Sequence, residues 1–260
     1  MNISEELNER YGKSHLSYSS IKQALNDIAH FDLYMRKAKV DDSEALRFGT
    51  LYDMLLFEPD KAFESYKVIN EEEIRSGLSE KARNSKRWKL TSEFQEAKAA
   101  LENDALESGI TIVSSKDWQT ANDMIHRLHD AGLIERYLTG EYQVQIEKEI
   151  FGVNVKGYLD CLGDGYVSDS KSSKSAIGFR WDVTKYCYDI QAYIYTQATG
   201  IKDFYWVVQE KIYPYTPAIV TCSEETLFKG EMKFKDGVSR IKNFLREGDD
   251  ANKDYMEYTV

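Results

Sequence analysis

Asp160, Asp169 and Lys171 lie within the run Gly157 to Ser173, GYLDCLGDGYVSDSKSS. Asp160 ends a strand-like stretch, Asp169 follows nine residues later and Lys171 two beyond that. Between the aspartates, Gly163-Asp164-Gly165 is a tight-turn signal flanked by alternating segments, which predicts a β-hairpin. Residues two apart on a strand share a face, so Asp169 and Lys171 point the same way and the turn brings Asp160 alongside. Two acids with a lysine beside them predict a divalent-cation site suited to metal-assisted phosphodiester hydrolysis. Ser172 and Ser173, next in the run, have hydroxyls that can donate to a neighbouring phosphate.

The elements that must position these groups follow from periodicity. Apolar spacing predicts helices over 16–38 (Ile21, Leu25, Ile28), 44–57, 91–106 (Phe94, Ala97, Leu101) and 115–131 (Trp118, Ala121, Ile125, Leu128), the last closed by Gly132. The period then changes to two. Tyr142, Val144 and Ile146 alternate with Gln143, Gln145 and Glu147, and 153–160, 166–171, 203–211 and 218–221 read as further strands. A final helix is marked by Leu227, Phe234, Val238, Ile241 and Leu245, and the acidic tail from Gly248 reads as frayed. This predicts a single α+β (α/β) domain over 1–260. Its parts are a mainly helical 1–140, a sheet and helix at 141–222, a C-terminal helix at 223–247 and the tail 248–260.

Several motifs resemble a known family. GYLD-x8-DSK is similar to the core of the PD-(D/E)XK nuclease superfamily, in which an Asp precedes an Asp/Glu-x-Lys on the next strand. Gln191 and Tyr195, in Tyr188-Asp-Ile-Gln-Ala-Tyr-Ile-Tyr195, resemble the Q-x3-Y helix of RecB-like and RecE-like nucleases. Phe48-Gly49-Thr50 with Leu55-Leu56-Phe57-Glu58-Pro59 resembles a helix of RecE-type (exonuclease VIII-like) enzymes. Ser17–Ser20 before 21–34, and Val208-Gln-Glu-Lys211 with Pro214, are similar to that family's first helix and later strand. The motifs keep their order over about residues 14–220.

The resemblance implies a restriction-endonuclease-like central mixed β-sheet flanked by helices. It implies catalytic roles for Asp160, Asp169, Lys171, Gln191 and Tyr195, with Mg²⁺ (Mn²⁺ as a substitute) held by Asp160, Asp169 and the Ser170 backbone carbonyl. It further implies 5′→3′ digestion of linear double-stranded DNA by a homo-oligomeric ring on DNA ends. The 3′ strand left behind would serve a single-strand annealing protein in phage recombination, in the cytoplasm of a bacterial or phage-infected cell. A structure-specific endonuclease on the same fold and a non-catalytic DNA-end-binding protein are the alternatives. One position departs from the pattern. Where RecE-type chains have histidine, this chain has Asp53, an anionic oxygen ligand that suits Mg²⁺ and is expected to complete a three-carboxylate site.

Composition sets limits. The net charge is −10, whereas sequence-independent DNA affinity comes from Lys and Arg. An uneven distribution is therefore expected. Arg75, Lys81, Arg83, Lys86, Arg87 and Lys89 fall in a loop over 75–89 whose one acid is Glu80. That loop, with Lys81, Arg83, Lys86 and Arg87 foremost, is the expected grip on the duplex, with Trp88 anchoring its end. Three scattered cysteines without C-x-x-C spacing argue against a disulfide framework, structural zinc and an iron–sulfur cluster. His126 and His129 read as a solvated helix face, and Glu147 and Glu149 as exposed strand positions. Phe179, Trp181, Tyr186 and Tyr188 form an aromatic cluster able to stack on a frayed DNA end, with at least half of it expected in the core. The first residues carry no secretory pattern, and no apolar run approaches a membrane span.

Overall fold

The computed structural model describes residues 2–36 and 43–247, apart from the side chain of Leu106. The tail from Gly248 therefore lies outside the described residues. The chain forms two compact units, one of residues 1–42, 132–210 and 216–260, the other of 43–131 and 211–215.

The first unit opens with α1 (Ile3–Tyr11), α2 (Tyr18–Asn26) and α3 (Ile28–Met35). Periodicity alone merges the last two into one helix over 16–38, and the structure corrects this. Asp27 is extended at φ −165°, ends α2 and caps α3 by accepting the Ala29 N–H. An Asp just before an apolar run is an N-cap signal even inside a longer periodic pattern.

The second unit carries α4 (Glu44–Phe57), α5 (Pro59–Ser65), β1 (Tyr66–Ile69), α6 (Glu71–Ser76), α7 (Glu80–Arg83), a 3₁₀ turn at Trp88–Leu90, α8 (Ser92–Glu107), β2 (Thr111–Ser114) and α9 (Ser115–Asp130). Helix α9 is capped by the Ser114 hydroxyl, which accepts the Asp117 N–H. Strands β1 and β2 pair in parallel, Tyr66 opposite Thr111. The basic loop builds its own small core, in which Leu78, Ala82 and Phe94 are buried with Ile74 and Trp88 against them.

The chain returns to the first unit through α10 (Leu133–Tyr137), β3 (Glu141–Ile150), β4 (Val153–Leu162), β5 (Tyr166–Ser173), α11 (Phe179–Lys185), α12 (Tyr188–Thr199), β6 (Asp203–Glu210), β7 (Pro217–Thr221) and α13 (Glu224–Glu247). The five strands β3 to β7 lie in sequence order; β5 and β6 are parallel and the other pairs antiparallel. A parallel pair needs a crossover, and here α11 and α12 provide it. Interior strand β6 buries Phe204, Trp206, Val207 and Val208, the near-continuous apolar run expected of a strand covered on both faces.

Helix α13 covers α12 and α2 with Phe234, Val238, Ile241 and Phe244 buried. It comes so close at Gly230 that a Cβ there would stand 2.1 Å from the Asp189 carbonyl oxygen. None of the described helices is long and apolar enough to cross a membrane.

Candidate active site

The hairpin forms as its turn predicts. Gly165 takes φ +81°, the Gly163 N–H donates to the Tyr166 carbonyl at 2.9 Å, and β4 and β5 run antiparallel. Their ladder holds only Cys161 opposite Ser168 and Leu162 opposite Val167. Continuing that register would set Asp160 opposite Asp169, and the ladder stops there. Like charges directly opposite destabilise an antiparallel pair. Asp160 instead turns its carboxylate onto the β5 backbone, where Oδ2 accepts the Ser170 N–H at 2.9 Å. Farther along, Leu16 takes the side of β4 that β5 has left, bridging Val155 with two backbone hydrogen bonds of 2.9 Å.

Asp169 is 1% exposed. Its Oδ1 accepts from Gln191 Nε2 at 2.7 Å, and Oδ2 lies against the Lys171 ammonium with no further donor among the described residues. Lys171 Nζ also donates to the Ser170 carbonyl at 3.3 Å. Burial by itself pulls the lysine pKa down, but the carboxylates of Asp169 and then Asp160 outweigh it and hold Lys171 well above its ordinary value. Lys171 is the cation that balances an acidic pair.

Helix α12 presents Gln191 and Tyr195 on one face, four residues apart. Gln191 Nε2 also reaches the Tyr195 hydroxyl at 3.3 Å, and that hydroxyl donates to the Tyr158 carbonyl of β4 at 2.7 Å. Burial pushes the Tyr195 phenol above its ordinary value. Glycine at 157 makes room for this contact, since a Cβ there would sit 3.0 Å from the Tyr195 ring. The sequence reading missed that Tyr188 belongs beside Lys171, whose Nζ stands 5.1 Å from its ring centroid. Tyr188 precedes Gln191 by three and Tyr195 by seven, a helix-face spacing that could have found it. Of the aromatic cluster, Phe179 is core and stacks on Tyr188 at 5.7 Å, whereas Trp181 is 69% exposed and Tyr186 38%.

Other expected residues fall as follows. Ser172 is half-buried. Ser173 is buried and holds the turn after β5; its Oγ lies 3.1 Å from the Ser175 carbonyl and 3.3 Å from Asp182 Oδ2, and accepts the Ser175 N–H. In the basic segment, Lys81, Arg83, Lys86 and Arg87 are exposed. Acids outside the segment offset part of its charge, since Arg75 pairs with Glu72 and Lys89 with Glu71. Arg83 donates to the Ser76 carbonyl at 3.4 Å, and Trp88 meets Phe94 edge-on at 4.9 Å. His126, His129, Glu147 and Glu149 are exposed, while Cys161 and Cys222 are buried.

Asp53 is half-buried on α4, in the second unit. Among the described residues no three His, Cys, Asp or Glu side chains gather closely enough to hold a metal ion. Within the first unit, Asp160 and Asp169 form a pair of carboxylates with neutral oxygens around them. Those are the Ser170 carbonyl and Gln191 Oε1, a buried amide oxygen with no partner among the described residues. Such an all-oxygen set fits a hard divalent cation such as Mg²⁺ or Mn²⁺.

A mixed sheet whose central hairpin opens at D…DxK, backed by a Gln–Tyr helix, defines the PD-(D/E)XK nuclease fold. More particularly, the PDDEXK-like domain of unknown function (DUF3799) matches residues 17–253, and the chain belongs to this family. The match spans both compact units, which together make one PDDEXK-like domain. Among solved structures the chain is similar to a "putative exonuclease" from Eubacterium rectale, at 18% identity and a TM-score of 0.61, over 93% of this chain and 84% of that one. It also matches a phage related exonuclease from Haemophilus somnus 129PT, at 14% identity and a TM-score of 0.33, over 68% of this chain and 93% of that one. The first likeness is one of fold, and the second is too low to carry an argument. No curated protein matches.

Proposed function

We propose that the protein is a metal-dependent exodeoxyribonuclease that digests linear double-stranded DNA from its 5′ ends. The observation that carries this reading is the convergence of Asp160, Asp169 and the Lys171 ammonium where the β4–β5 ladder opens. Asp160, Asp169 and the Ser170 carbonyl would hold Mg²⁺, with Gln191 fixing the Asp169 carboxylate. When bound, such a metal lowers the pKa of a water and stabilises charge on the phosphate oxygens. Lys171 orients the attacking water and neutralises a non-bridging oxygen as charge develops. Tyr195 ties α12 to β4 and so keeps Gln191 aimed at Asp169. Ser172 and the exposed cations of the 75–89 segment would contact the DNA backbone. A homo-oligomeric ring, an annealing partner and a place in phage recombination follow from the RecE-type motifs.

The test is Mg²⁺-dependent digestion of linear duplex labelled at either end, with a covalently closed circle and Lys171→Ala protein alongside. Early loss of the 5′ label with circles and variant inert is the expected result. Cut circles would establish an endonuclease instead, and no cleavage with any divalent metal would leave only DNA-end binding.

A further inference from the structure

The loop and helix between β5 and α12 reverse the character of this acidic chain. Residues 174–186 hold Lys174, Arg180 and Lys185 against Asp182 alone, and Asp182 faces the Ser173 hydroxyl at 3.3 Å. The same stretch leaves large apolar groups in water, with Ile177 82% and Trp181 69% exposed. Each exposed aromatic ring carries a cation. Arg180 lies 5.2 Å from the Trp181 ring centroid, and Tyr186 stands between Lys185 at 5.0 Å and Lys22 of α2 at 5.5 Å. Burial lowers the pKa of the half-buried Lys22, the nearby Cys187 thiol pulling the other way. The one carboxylate at the start of α12, Asp189, is taken by Lys233 at 2.6 Å. The cluster is also joined to the site, since Tyr186 lies 5.8 Å from Tyr188, whose ring receives Lys171.

Packed aromatics are core, but aromatics left in water among cations are the chemistry that holds unpaired nucleotides, bases on rings and phosphates on lysines. We propose that this surface binds single-stranded DNA beside the catalytic hairpin, Trp181 stacking on an unpaired base and Lys22 and Lys185 holding the phosphates around Tyr186. The inference deepens the nuclease reading and rests on it, because the strand bound there would be one unpaired at the site.

The test measures binding of a short fluorescent oligothymidylate by anisotropy, with Ca²⁺ in place of Mg²⁺, over a salt series. Trp181→Ala should weaken binding roughly tenfold or more, and Trp181→Phe should restore part of it. Lys22→Gln with Lys185→Gln should reduce the log–log salt slope by about 1.4. Unchanged affinity in Trp181→Ala would overturn the proposal. So would a shift in that variant's oligomeric state on gel filtration with binding intact, which would make the patch a subunit contact. Wild-type protein that binds through Trp181 yet cleaves no DNA would support this surface while refuting the nuclease reading.

Discussion

Replacing Lys171 with methionine should make the fold depend on a divalent cation. The substitution keeps the aliphatic stem and removes the charge that stands between two carboxylates. Asp169 is 1% exposed and the lysine side chain 18%, so the pair is largely dry. Breaking a buried pair from one side destabilises by about 3–5 kcal/mol. Asp169 keeps its 2.7 Å hydrogen bond from Gln191, which places the expected loss near the lower end, about 3 kcal/mol. For a chain of this size that is a fall in Tm of roughly 6–12 °C in EDTA. Calcium at about 100 times its Kd would return about 2.7 kcal/mol. Wild-type protein should gain less from calcium, because its ammonium already balances the acids. Thermal unfolding followed by circular dichroism, with EDTA and with calcium, reads both effects. Turnover should fall on the order of 10²-fold or more. A variant with the wild-type Tm in EDTA would show that Lys171 does not balance a buried acidic pair, and the site assignment would fall with it.

Three further outcomes follow from the same contacts. Gln191→Ala removes a hydrogen bond to a charged group and should raise the Mg²⁺ midpoint of activity about 10–100-fold; an unmoved midpoint would separate Gln191 from the metal ligands. Gly230→Ala places a Cβ 2.1 Å from the Asp189 carbonyl oxygen, so α13 must draw back from α12, a loss of about 1–3 kcal/mol that urea unfolding would detect or exclude. Burial acts to raise the Asp32 pKa, but hydrogen bonds from Arg36 at 2.7 Å and Tyr11 at 2.6 Å override it and hold the carboxyl below its ordinary range. Its stabilising effect should therefore be complete above about pH 4 and be lost as pH falls through the lowered folded value. Asp32→Asn should show a flatter acid limb in melts between about pH 2 and 5, and parallel limbs would count against the assignment.

What could be read from the sequence divides by range. The hairpin was legible because its turn, its alternation and the shared face of Asp169 and Lys171 are all set within a few residues. The length and type of α9 and α13 were legible for the same reason. Strands β1 and β2 were not, since each has four residues and its partner lies some forty-five positions away; no local pattern announces so short a pairing. Helices α10 and α11 have five and seven residues, too few for a period to show. In the basic segment, counting charge inside 75–89 missed Glu71 and Glu72, which fold back on Lys89 and Arg75.

The site also explains its own geometry. A ladder carried past Cys161 and Ser168 would face Asp160 with Asp169, and repulsion favours ending it there. Ending it strands the Ser170 N–H, which the Asp160 carboxylate then accepts. The gap leaves Asp169 buried, where an unpaired charge is costly, so Lys171 and Gln191 each take one of its oxygens. The Ser170 carbonyl, beside the opened ladder, accepts from the Lys171 ammonium at 3.3 Å. Strand separation, carboxylate orientation and the neighbouring cation thus have a single cause, two like charges placed opposite one another one residue beyond the last closed pair. Moving either aspartate along its strand by one position would send it to the other face, closing the ladder and removing the cation site together.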